Sequence, residues 1–320
     1  MGRKLKLIKK ITLGIIASLL SAILLLIVFT WESDRTVQEL QARWAQKPST
    51  FIELNGLRVH LRDEGPKEDP IPLVLIHGGA SSLHTWDGWS EELKTTRRVI
   101  RFDLPGFGLT GPALNQDYSM QRYIEFVISI LDRLKVKRAI LIGSSFGGNI
   151  AWRTALEQPS RYQKLVLLDA GGYRLESLSV PIAFRIARIP VLNNLLNKIL
   201  PRKLVESSVK NTYGNPSKVT EEKVDRFFEL ALREGNRKAL GQFQRTLVSE
   251  SGILEKRIPE VRIPTLILWG KKDRLQPPIN AEKFHKDIAG SRLVFFEDLG
   301  HTPQEENPQE TIKVVKEFIR

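Results

Sequence analysis

The sequence predicts an α/β protein in which a mostly parallel sheet is covered on both faces, with a helical insertion and an apolar N-terminal helix. Short, continuously apolar runs alternate with helical patterns over residues 72–170 and again from residue 265 to the end, which is typical of strands buried on both faces of a parallel sheet. The alternation is absent between Gly171 and Pro259, where the pattern is helical. Ahead of both parts, residues 11–29 are apolar except for one threonine and two serines.

The amino-acid composition limits which catalytic chemistry and which binding partners the chain can have. The chain has 320 residues and no cysteine, which excludes disulfides, a thiolate nucleophile and a zinc–thiolate site. A net charge of +13 indicates an anionic partner, either nucleic acid or a membrane. The bases concentrate near the apolar N-terminus and no nucleic-acid recognition motif is present, so we expect a membrane and no nucleic acid. No dinucleotide-binding or phosphate-binding glycine loop and no metal-ligand cluster occurs, so we expect no cofactor and no metal.

The N-terminus predicts a signal-anchor, a transmembrane helix over residues 11–31. Residues 1–10 hold five bases and no acid, and residues 11–29 would form a helix about 28 Å long, which is close to the hydrocarbon thickness of a bilayer. The charge asymmetry predicts that residues 1–10 are cytoplasmic and that the catalytic domain lies on the outer, periplasmic or extracellular, side of the cell membrane. A cleaved signal peptide is the alternative, but the apolar run is long and no small-x-small cleavage site follows it. Residues 32–50 are expected to form a juxtamembrane helix and linker.

A core domain is predicted over residues 51–170 and 260–320. It begins with a hairpin around Asn55-Gly56, the strongest short-range hairpin signal. Buried strands are predicted at residues 72–76, 98–102, 139–142, 164–168, 265–269 and 293–296. Helices are predicted over residues 120–134, from Phe146, over residues 280–288 and from about Gln309.

The insertion, residues 171–259, is expected to form a helical cap over the carboxyl edge of the sheet, where ligands bind in such folds. Thr220 followed by two glutamates predicts a helix start. Residues 173–203 carry six bases and one acid among apolar side chains. Two interpretations stay open: this part contacts the bilayer, or its apolar side chains line the pocket while its charges face solvent.

The chemistry centres on Gly143-Ser-Ser145-Phe-Gly147, which joins a predicted strand to a predicted helix. A serine hydroxyl becomes nucleophilic when a base takes its proton and an acid orients that base. Asp273 and His301 each follow a later predicted strand, so all three residues are expected at the carboxyl edge of the sheet.

These motifs, together with His77-Gly78-Gly79, Asp103-x-Pro-Gly-x-Gly108, Gly270-x-x-Asp273 and Gly300-His301, occur in the order found in the α/β-hydrolase superfamily. Residues 51–320 resemble its serine hydrolases with a helical cap. The resemblance implies Ser145 as nucleophile, His301 as general base and acid, and Asp273 as the orienting acid, with Asp169 as the alternative acid.

The resemblance also implies an oxyanion hole formed by the backbone amides of Gly79 and Phe146, with Ala80 as the alternative to Gly79. His77 and Asp103 are expected to be structural, and His84 could line the substrate entrance. His60 and His285 are expected to have no special role.

The resulting expectation is a membrane-anchored serine hydrolase that cleaves a small, apolar, lipid-like carboxylic ester through an acyl-enzyme. Its partners would be that ester and the membrane, which it would meet through the N-terminal helix and the basic part of the cap. Thioester, amide or carbon–carbon bond hydrolysis stays open, as does a catalytically silent binding module of the same fold.

Overall fold

Eight strands form a single sheet. They are β1 Thr50–Leu54, β2 Leu57–Glu64, β3 Leu73–Ile76, β4 Val99–Phe102, β5 Ala139–Ser144, β6 Tyr162–Leu168, β7 Thr265–Gly270 and β8 Arg292–Phe296. Their order across the sheet is β1-β2-β4-β3-β5-β6-β7-β8. Strand β2 is antiparallel to both of its neighbours, and β4, β3, β5, β6, β7 and β8 are mutually parallel. The computed structural model describes residues 2–174, 199–249 and 255–320, and leaves aside the side chains of residues 2–7, 20, 22–24, 26 and 27 in the first helix.

The helices connect these strands and flank the sheet. In the described residues they are α1 Gly2–Phe29, α2 Val37–Trp44, α3 Asp87–Leu93, α4 Met120–Arg133, α5 Phe146–Glu157, α6 Arg202–Asn211, α7 Glu221–Ala231, α8 Asn236–Ser249, α9 Ile279–Asp287, α10 Pro303–Glu306 and α11 Pro308–Ile319. The helices predicted at residues 120–134, 280–288 and the C-terminus are confirmed to within two residues. Short 3-10 turns lie at Leu83–Trp86, Pro159–Arg161, Pro216–Lys218 and Glu255–Glu260.

The first two strands form the predicted hairpin. Asn55 and Gly56 have φ values of 51° and 84°, the left-handed pair that a two-residue turn of the favoured type requires. The register pairs Leu54 with Leu57 across the turn. The hairpin prediction is therefore confirmed.

Alternate residues of the central strands enter two separate apolar cores. In β3, Leu73 and Leu75 belong to one cluster and Val74 and Ile76 to the other, and none of the four side chains is exposed. A strand buried on both faces needs no polar alternation, which explains its continuously apolar sequence. The mostly parallel, doubly covered sheet is confirmed.

Three described helices, α6, α7 and α8, lie in the chain between β6 and β7. Helix α7 starts as the sequence predicts, because the Thr220 side chain accepts a hydrogen bond from the backbone N–H of Lys223. Most of the basic stretch expected over residues 173–203 lies outside the described residues. Within its described end, Arg202 pairs with Asp225 and Glu221, so this base is neutralised locally.

The N-terminal part forms one helix, but this helix does not support the expected membrane span. Helix α1 covers Gly2–Phe29, but across the residues described here we find no helix with the length and apolarity needed to cross a membrane. The transmembrane anchor expected over residues 11–31 is therefore not supported by the structure.

Residues 30–45, which we call the strap, pack against the helical insertion. Helix α2 starts with a capping box in which Thr36 and Glu39 bond to each other's backbone N–H. The indole N–H of Trp44 donates to Glu229 of α7 at 2.6 Å, and the backbone N–H of Arg35 donates to the carbonyl of Leu232 at 2.7 Å. The linker expected over residues 32–50 is thus docked onto the insertion along much of its length.

Candidate active site

Ser145 occupies a strained turn between β5 and α5. Its φ and ψ are 55° and −119°, a combination that costs free energy for a residue with a Cβ. A Cβ on Gly143 would come within 2.3 Å of the carbonyl oxygen of Gly147, and one on Gly147 within 2.2 Å of the carbonyl oxygen of Ile76. The two glycines of the motif are therefore required by close backbone packing, and the turn holds the hydroxyl at the carboxyl edge of the sheet.

Three side chains from different strand ends form one hydrogen-bonded chain. Ser145 Oγ lies 2.8 Å from His301 Nε2, and His301 Nδ1 lies 2.7 Å from Asp273 Oδ2. An ionised carboxylate only accepts, so Nδ1 carries the proton and Nε2 is left to accept from the serine hydroxyl. This is the tautomer in which His301 can act as a base toward Ser145.

Asp273 is held in place by its own loop. Its Oδ1 accepts backbone N–H groups from Leu275 at 2.7 Å and from Gln276 at 3.0 Å, while Oδ2 faces His301. Its side chain is fully buried. The structure thus places Asp273, the expected acid, next to His301. Its other oxygen, Oδ1, already accepts two backbone N–H groups.

Asp169, the alternative acid, lies beside Asp273 and has a different environment. It is fully buried, its Oδ1 accepts the N–H of Gly270 at 2.9 Å, and its Oδ2 has no partner in the described part of the chain. Burial, and then the charge of Asp273, hold the pKa of Asp169 well above its usual range. Both effects favour the protonated form of Asp169, whereas the bond to His301 is made by Asp273.

One atom each of Asp169, Asp273 and His301 lie within 4.8 Å of one another, a separation that a metal ion could bridge. In this structure, however, His301 Nδ1 and Asp273 Oδ2 are hydrogen-bonded to each other, and Asp169 Oδ1 accepts the N–H of Gly270.

The expected oxyanion-hole residues meet above the serine. A Cβ on Gly78 would lie 3.1 Å from Ser145 Cβ, and one on Gly79 would lie 3.9 Å from Phe146 Cβ, so this loop passes directly over the turn. The N–H of Phe146 opens helix α5 and has no acceptor within the helix. Ala80, the alternative to Gly79, has a φ of 58°.

His77 and Asp103 support this loop, as expected. His77 Nδ1 donates to the carbonyl of Gly78 at 2.7 Å, and its Nε2 accepts the N–H of Leu104 at 2.9 Å. Burial lowers the pKa of His77, which keeps the ring neutral. Asp103 accepts the N–H of Leu83 and of Leu109, both at 2.8 Å.

Two other histidines, His60 and His84, are held by hydrogen bonds in the interior. His60 Nδ1 lies 2.7 Å from Asp103 Oδ2. His84 is buried between Ser82 and the carbonyl of Trp44, and burial lowers the pKa of His84 to about 3. It does not lie at an entrance, so the expectation for His84 is wrong: the strap covers it.

The insertion contacts the loop that carries His301. The N–H of His301 donates to the carbonyl of Thr212 at 2.7 Å. Glu306 accepts three backbone N–H groups, from Gly214 at 2.9 Å, Asn215 at 2.7 Å and Gly300 at 2.8 Å. Thr212, Gly214, Asn215 and Glu306 belong to no motif, and sequence reasoning missed them.

A buried ion pair also connects the insertion to the core domain, from helix α7 to helix α10. Arg226 Nη2 lies 2.9 and 2.7 Å from the two carboxylate oxygens of Glu305. Burial acts to raise the pKa of Glu305, but the charges of Arg226 and Lys223 and the hydrogen bonds from Thr85 and Arg226 together lower it. Both groups are therefore charged, and the pair ties the insertion to α10. Nothing in the sequence spacing indicated this pair.

A cavity adjoins the oxyanion-hole loop. Its lining starts at Ala80, directly after Gly79, and continues over the insertion. Most of the lining is apolar, from Phe107, Leu200, Leu204, Phe227, Leu230, Ala231 and Leu240. Leu200 belongs to the stretch with two open interpretations, and its position supports the pocket-lining one for this residue.

The parallel sheet and the serine on a strained strand-to-helix turn define a class, the hydrolases of the α/β fold. A sequence profile described as alpha/beta hydrolase fold matches residues 71–308, about three quarters of the chain. The chain belongs to this family.

The relatives and the solved structure that it resembles are named as hydrolases. The chain is 29% identical over 279 residues to the uncharacterized hydrolase YugF of Bacillus subtilis, covering 86% of this chain and 99% of the relative. It is 28% identical over 276 residues to a 2-hydroxy-6-oxo-2,4-heptadienoate hydrolase of Pseudomonas putida, covering 84% and 95%. The solved meta-cleavage product hydrolase CumD of Pseudomonas fluorescens superimposes with a TM-score of 0.73 at 24% identity, covering 84% and 97%.

Proposed function

We propose that this chain is a serine hydrolase that cleaves an apolar carboxylic ester through an acyl-enzyme on Ser145. The observation that carries the proposal is the continuous chain of hydrogen bonds from Ser145 Oγ through His301 to Asp273, with distances of 2.8 and 2.7 Å. This chain supplies a nucleophile, a base of the correct tautomer and an orienting carboxylate.

In the first half-reaction, Ser145 Oγ bonds to the ester carbonyl carbon while His301 Nε2 takes the hydroxyl proton. The carbonyl oxygen becomes an oxyanion, which the N–H groups of Gly79 and Phe146 would stabilise. The imidazolium is stabilised by Asp273. When the intermediate collapses, the carbon–oxygen bond to the alcohol breaks and His301 returns the proton to the leaving alkoxide.

In the second half-reaction, water attacks the acyl-enzyme while His301 takes one of its protons. Collapse of the second tetrahedral intermediate releases the carboxylic acid and restores the hydroxyl of Ser145. Ser145 is partly exposed whereas His301 and Asp273 are buried, so substrate can reach the nucleophile while the base is screened from bulk water.

Carbon–carbon bond hydrolysis is the second candidate. Its support is the relative of Pseudomonas putida, a 2-hydroxy-6-oxo-2,4-heptadienoate hydrolase. Ester cleavage is our first choice because the cavity lining is mainly apolar and, among the described residues, the two arginines that line it, Arg226 and Arg237, are already paired with Glu305 and Asp34. A dienoate substrate would need a free cation for its carboxylate.

We also propose that the chain works at the outer face of the cell membrane, held there by its N-terminus. The support is the basic flank at residues 1–10, the apolar sequence of residues 11–29, and the exposure of several apolar side chains of α1 to solvent. Exposed members include Ile11, Leu13, Ile15, Ile16, Leu19, Leu25, Val28 and Phe29. Such a surface needs an apolar cover.

Labelling with a fluorophosphonate tests the nucleophile in the full-length chain. We expect covalent labelling of the wild type and none of Ser145→Ala. Ser144→Ala is the matched control, because this adjacent hydroxyl lies 3.3 Å from Gln304 Nε2 and takes no part in the proposed chemistry. Failure of the well-folded wild type to label would favour a silent binding module.

A substrate panel then separates the bond types. Esters, thioesters, amides and a 2-hydroxy-6-oxo-dienoate are compared by kcat/KM in the wild type and in Ser145→Ala. We expect the esters to be preferred and the loss in Ser145→Ala to be at least about a thousandfold. A dienoate turned over faster than every ester would replace the first candidate with the second.

Membrane attachment has its own measurement. We expect the full-length chain to stay in the membrane pellet after alkaline carbonate washing and the variant lacking residues 1–29 to be released. Recovery of both in the supernatant would contradict the proposed attachment without affecting the proposed chemistry.

A further inference from the structure

One phenylalanine of the insertion lies against both residues of the proposed oxyanion hole. Phe243, on helix α8, is 2% exposed. A Cβ built on Gly79 would lie 3.1 Å from Phe243 Cε1 and 3.2 Å from Phe243 Cζ. The ring of Phe243 also packs edge-to-face on the ring of Phe146, with centroids 4.7 Å apart and an interplanar angle of 74°. A single ring thus packs on the residue at each side of the hole.

The contact with Phe243 explains why position 79 is a glycine. Gly79 does not have a left-handed φ, so a strained backbone is not the reason. Carbon atoms in ordinary contact lie about 3.5–4.0 Å apart, so a side chain on Gly79 would press on the ring. The next atom within reach among the described residues, Phe146 Cβ, lies at an ordinary 3.9 Å. The glycine therefore fits this loop to the ring of Phe243.

The ring of Phe243 is itself held by other aromatic rings. It packs edge-to-face with Phe107 at a centroid distance of 5.1 Å and with Tyr123 at 6.3 Å. Aromatic pairs favour this arrangement at such separations. The hydroxyl of Tyr123 donates to the carbonyl of Pro105 at 3.0 Å, which fixes one of these neighbours in turn. The ring therefore has little freedom to move away from Gly79.

The loop with Gly78 and Gly79 is enclosed from two sides. On one side, a Cβ built on Gly78 would lie 3.1 Å from Ser145 Cβ. On the other side is Phe243, and its helix is attached to the core domain because Asn236 Nδ2 donates to the carbonyl of Gly108 at 2.9 Å. The nucleophile and the insertion therefore hold the loop between them.

We infer that Phe243 is a positioning residue for the oxyanion hole: its ring sets where the N–H of Gly79 lies relative to the N–H of Phe146. The inference rests on the proposed function, because these are the two groups that would stabilise the oxyanion. Such donors act at about 2.7–3.1 Å from the developing charge, and a misplacement of about 1 Å can cost roughly a hundredfold in rate. A leucine at position 243 lacks the ring atoms that contact Gly79, so the loop would gain room to shift.

Steady-state kinetics of Phe243→Leu in the full-length chain test this, with p-nitrophenyl butyrate as substrate. We expect kcat to fall about tenfold or more with KM within twofold of the wild type, because the oxyanion forms only after the ester is bound. A butyl trifluoromethyl ketone, whose adduct with Ser145 carries an oxyanion, should bind more weakly by the factor by which kcat/KM falls. A kcat within twofold of the wild type, or a lower kcat with unchanged binding of the ketone, would overturn the inference.

Phe126→Leu is the matched control for the loss of a buried ring. Phe126 is 8% exposed and packs edge-to-face on Phe102 with centroids 5.7 Å apart. This variant should keep the kinetics of the wild type. Should Phe243→Leu fail to fold, Phe243→Met, which also removes the ring and fills irregular space, takes its place.

A double variant tests the contact between Phe243 and Gly79 itself. We expect Gly79→Ala to lower kcat about tenfold in the wild type but threefold or less in Phe243→Leu, because the ring that the new Cβ would press on is then absent. Residues in contact show this kind of coupling, whereas independent sites do not. Equal factors in the two backgrounds would overturn the inference.

Failure of the proposed function gives a different pattern, in which the wild type cleaves no ester. Hydrogen exchange of the N–H of Ser81, which donates to the carbonyl of Gly78 at 3.3 Å within the loop, then tests the position of the loop without catalysis. We expect about tenfold faster exchange in Phe243→Leu and no change in Phe126→Leu. Unchanged exchange in Phe243→Leu would overturn the inference.

Discussion

The backbone N–H of His301 donates a hydrogen bond to the carbonyl oxygen of Thr212, 2.7 Å away. Thr212 belongs to the helical insertion and His301 to the loop after β8. The main chain of the proposed base is therefore held by the helical insertion, and the Glu306 carboxylate reinforces the same contact by accepting three backbone N–H groups, from Gly214, Asn215 and Gly300.

Glu306→Gln should lower both activity and stability. The amide of glutamine has one acceptor oxygen, and its NH₂ would face an N–H group that needs an acceptor, so at least one buried bond is lost at about 1.5–3 kcal/mol. We expect kcat to fall more than tenfold with little change in KM, because the base shifts while the cavity stays. Steady-state kinetics and urea unfolding measure the two effects.

Glu317→Gln is the control for this prediction, since Glu317 is an exposed partner of Arg292 at 3.5 Å and such pairs contribute less than about 1 kcal/mol. Equal kinetics for the Glu306 variant and the wild type would show that the contact is not needed to position His301.

Asp169→Asn should change the pH dependence of stability. The pKa of Asp169 is raised in the folded state, so above the unfolded pKa of about 3.9 the folded chain binds more protons than the unfolded chain. Stability of the wild type therefore falls as pH rises toward the folded pKa, by up to about 1.4 kcal/mol per pH unit from this group. The asparagine variant lacks this loss, so its stability relative to the wild type should rise as the pH increases above about 4.

Urea unfolding at several pH values measures this difference, with Asp132→Asn as the exposed control. A difference between Asp169→Asn and the wild type that stays constant with pH would mean that Asp169 is ionised in the folded chain.

Gly147→Ala should be strongly destabilising. The added Cβ would lie 2.2 Å from the carbonyl oxygen of Ile76, and backbone that cannot move aside makes such overpacking cost about 3 kcal/mol or more. Gly171→Ala is a matched change in the same core, where the nearest atom, Asn149 Cβ, is at an ordinary 3.4 Å. Thermal unfolding should separate the two variants clearly, and similar melting temperatures would contradict the packing described around the serine.

Trp44→Ala should loosen the strap. Trp44 is 5% exposed, packs with Leu40, Leu109 and Leu230, and donates to Glu229. Removing a buried tryptophan costs about 3–5 kcal/mol, so we expect a large loss of stability. Trp31→Ala removes a side chain that is 52% exposed and should change stability by less than about 0.5 kcal/mol. Equal effects of the two changes on urea unfolding would mean that the strap does not depend on Trp44.

Much of the sheet and of the proposed triad could be predicted from the sequence because both depend on local patterns. Apolar runs fix the strands, and Ser145, Asp273 and His301 each follow such a run. The helix start at Thr220 and the turn at Asn55 are likewise encoded within a few residues.

Contacts made by backbone atoms or across long separations could not be predicted in this way. Thr212 contributes only a carbonyl to His301, which any residue could supply. Arg237 binds the carbonyl of Glu32, 205 residues earlier in the chain, and no pattern links the two. His84 was misjudged for the same reason, since the strap that buries it is joined to it only in space.

The insertion leaves the sheet after β6 and returns at β7, two neighbouring parallel strands. A cap taken from another member of the family could therefore be joined to the sheet at the ends of β6 and β7 without altering any strand pairing. However, the hydrogen bond from His301 to Thr212 joins the core domain to the insertion, so such a graft would also replace the residue that holds the main chain of the proposed base. A change of cap made to alter substrate selectivity would therefore be expected to alter turnover as well.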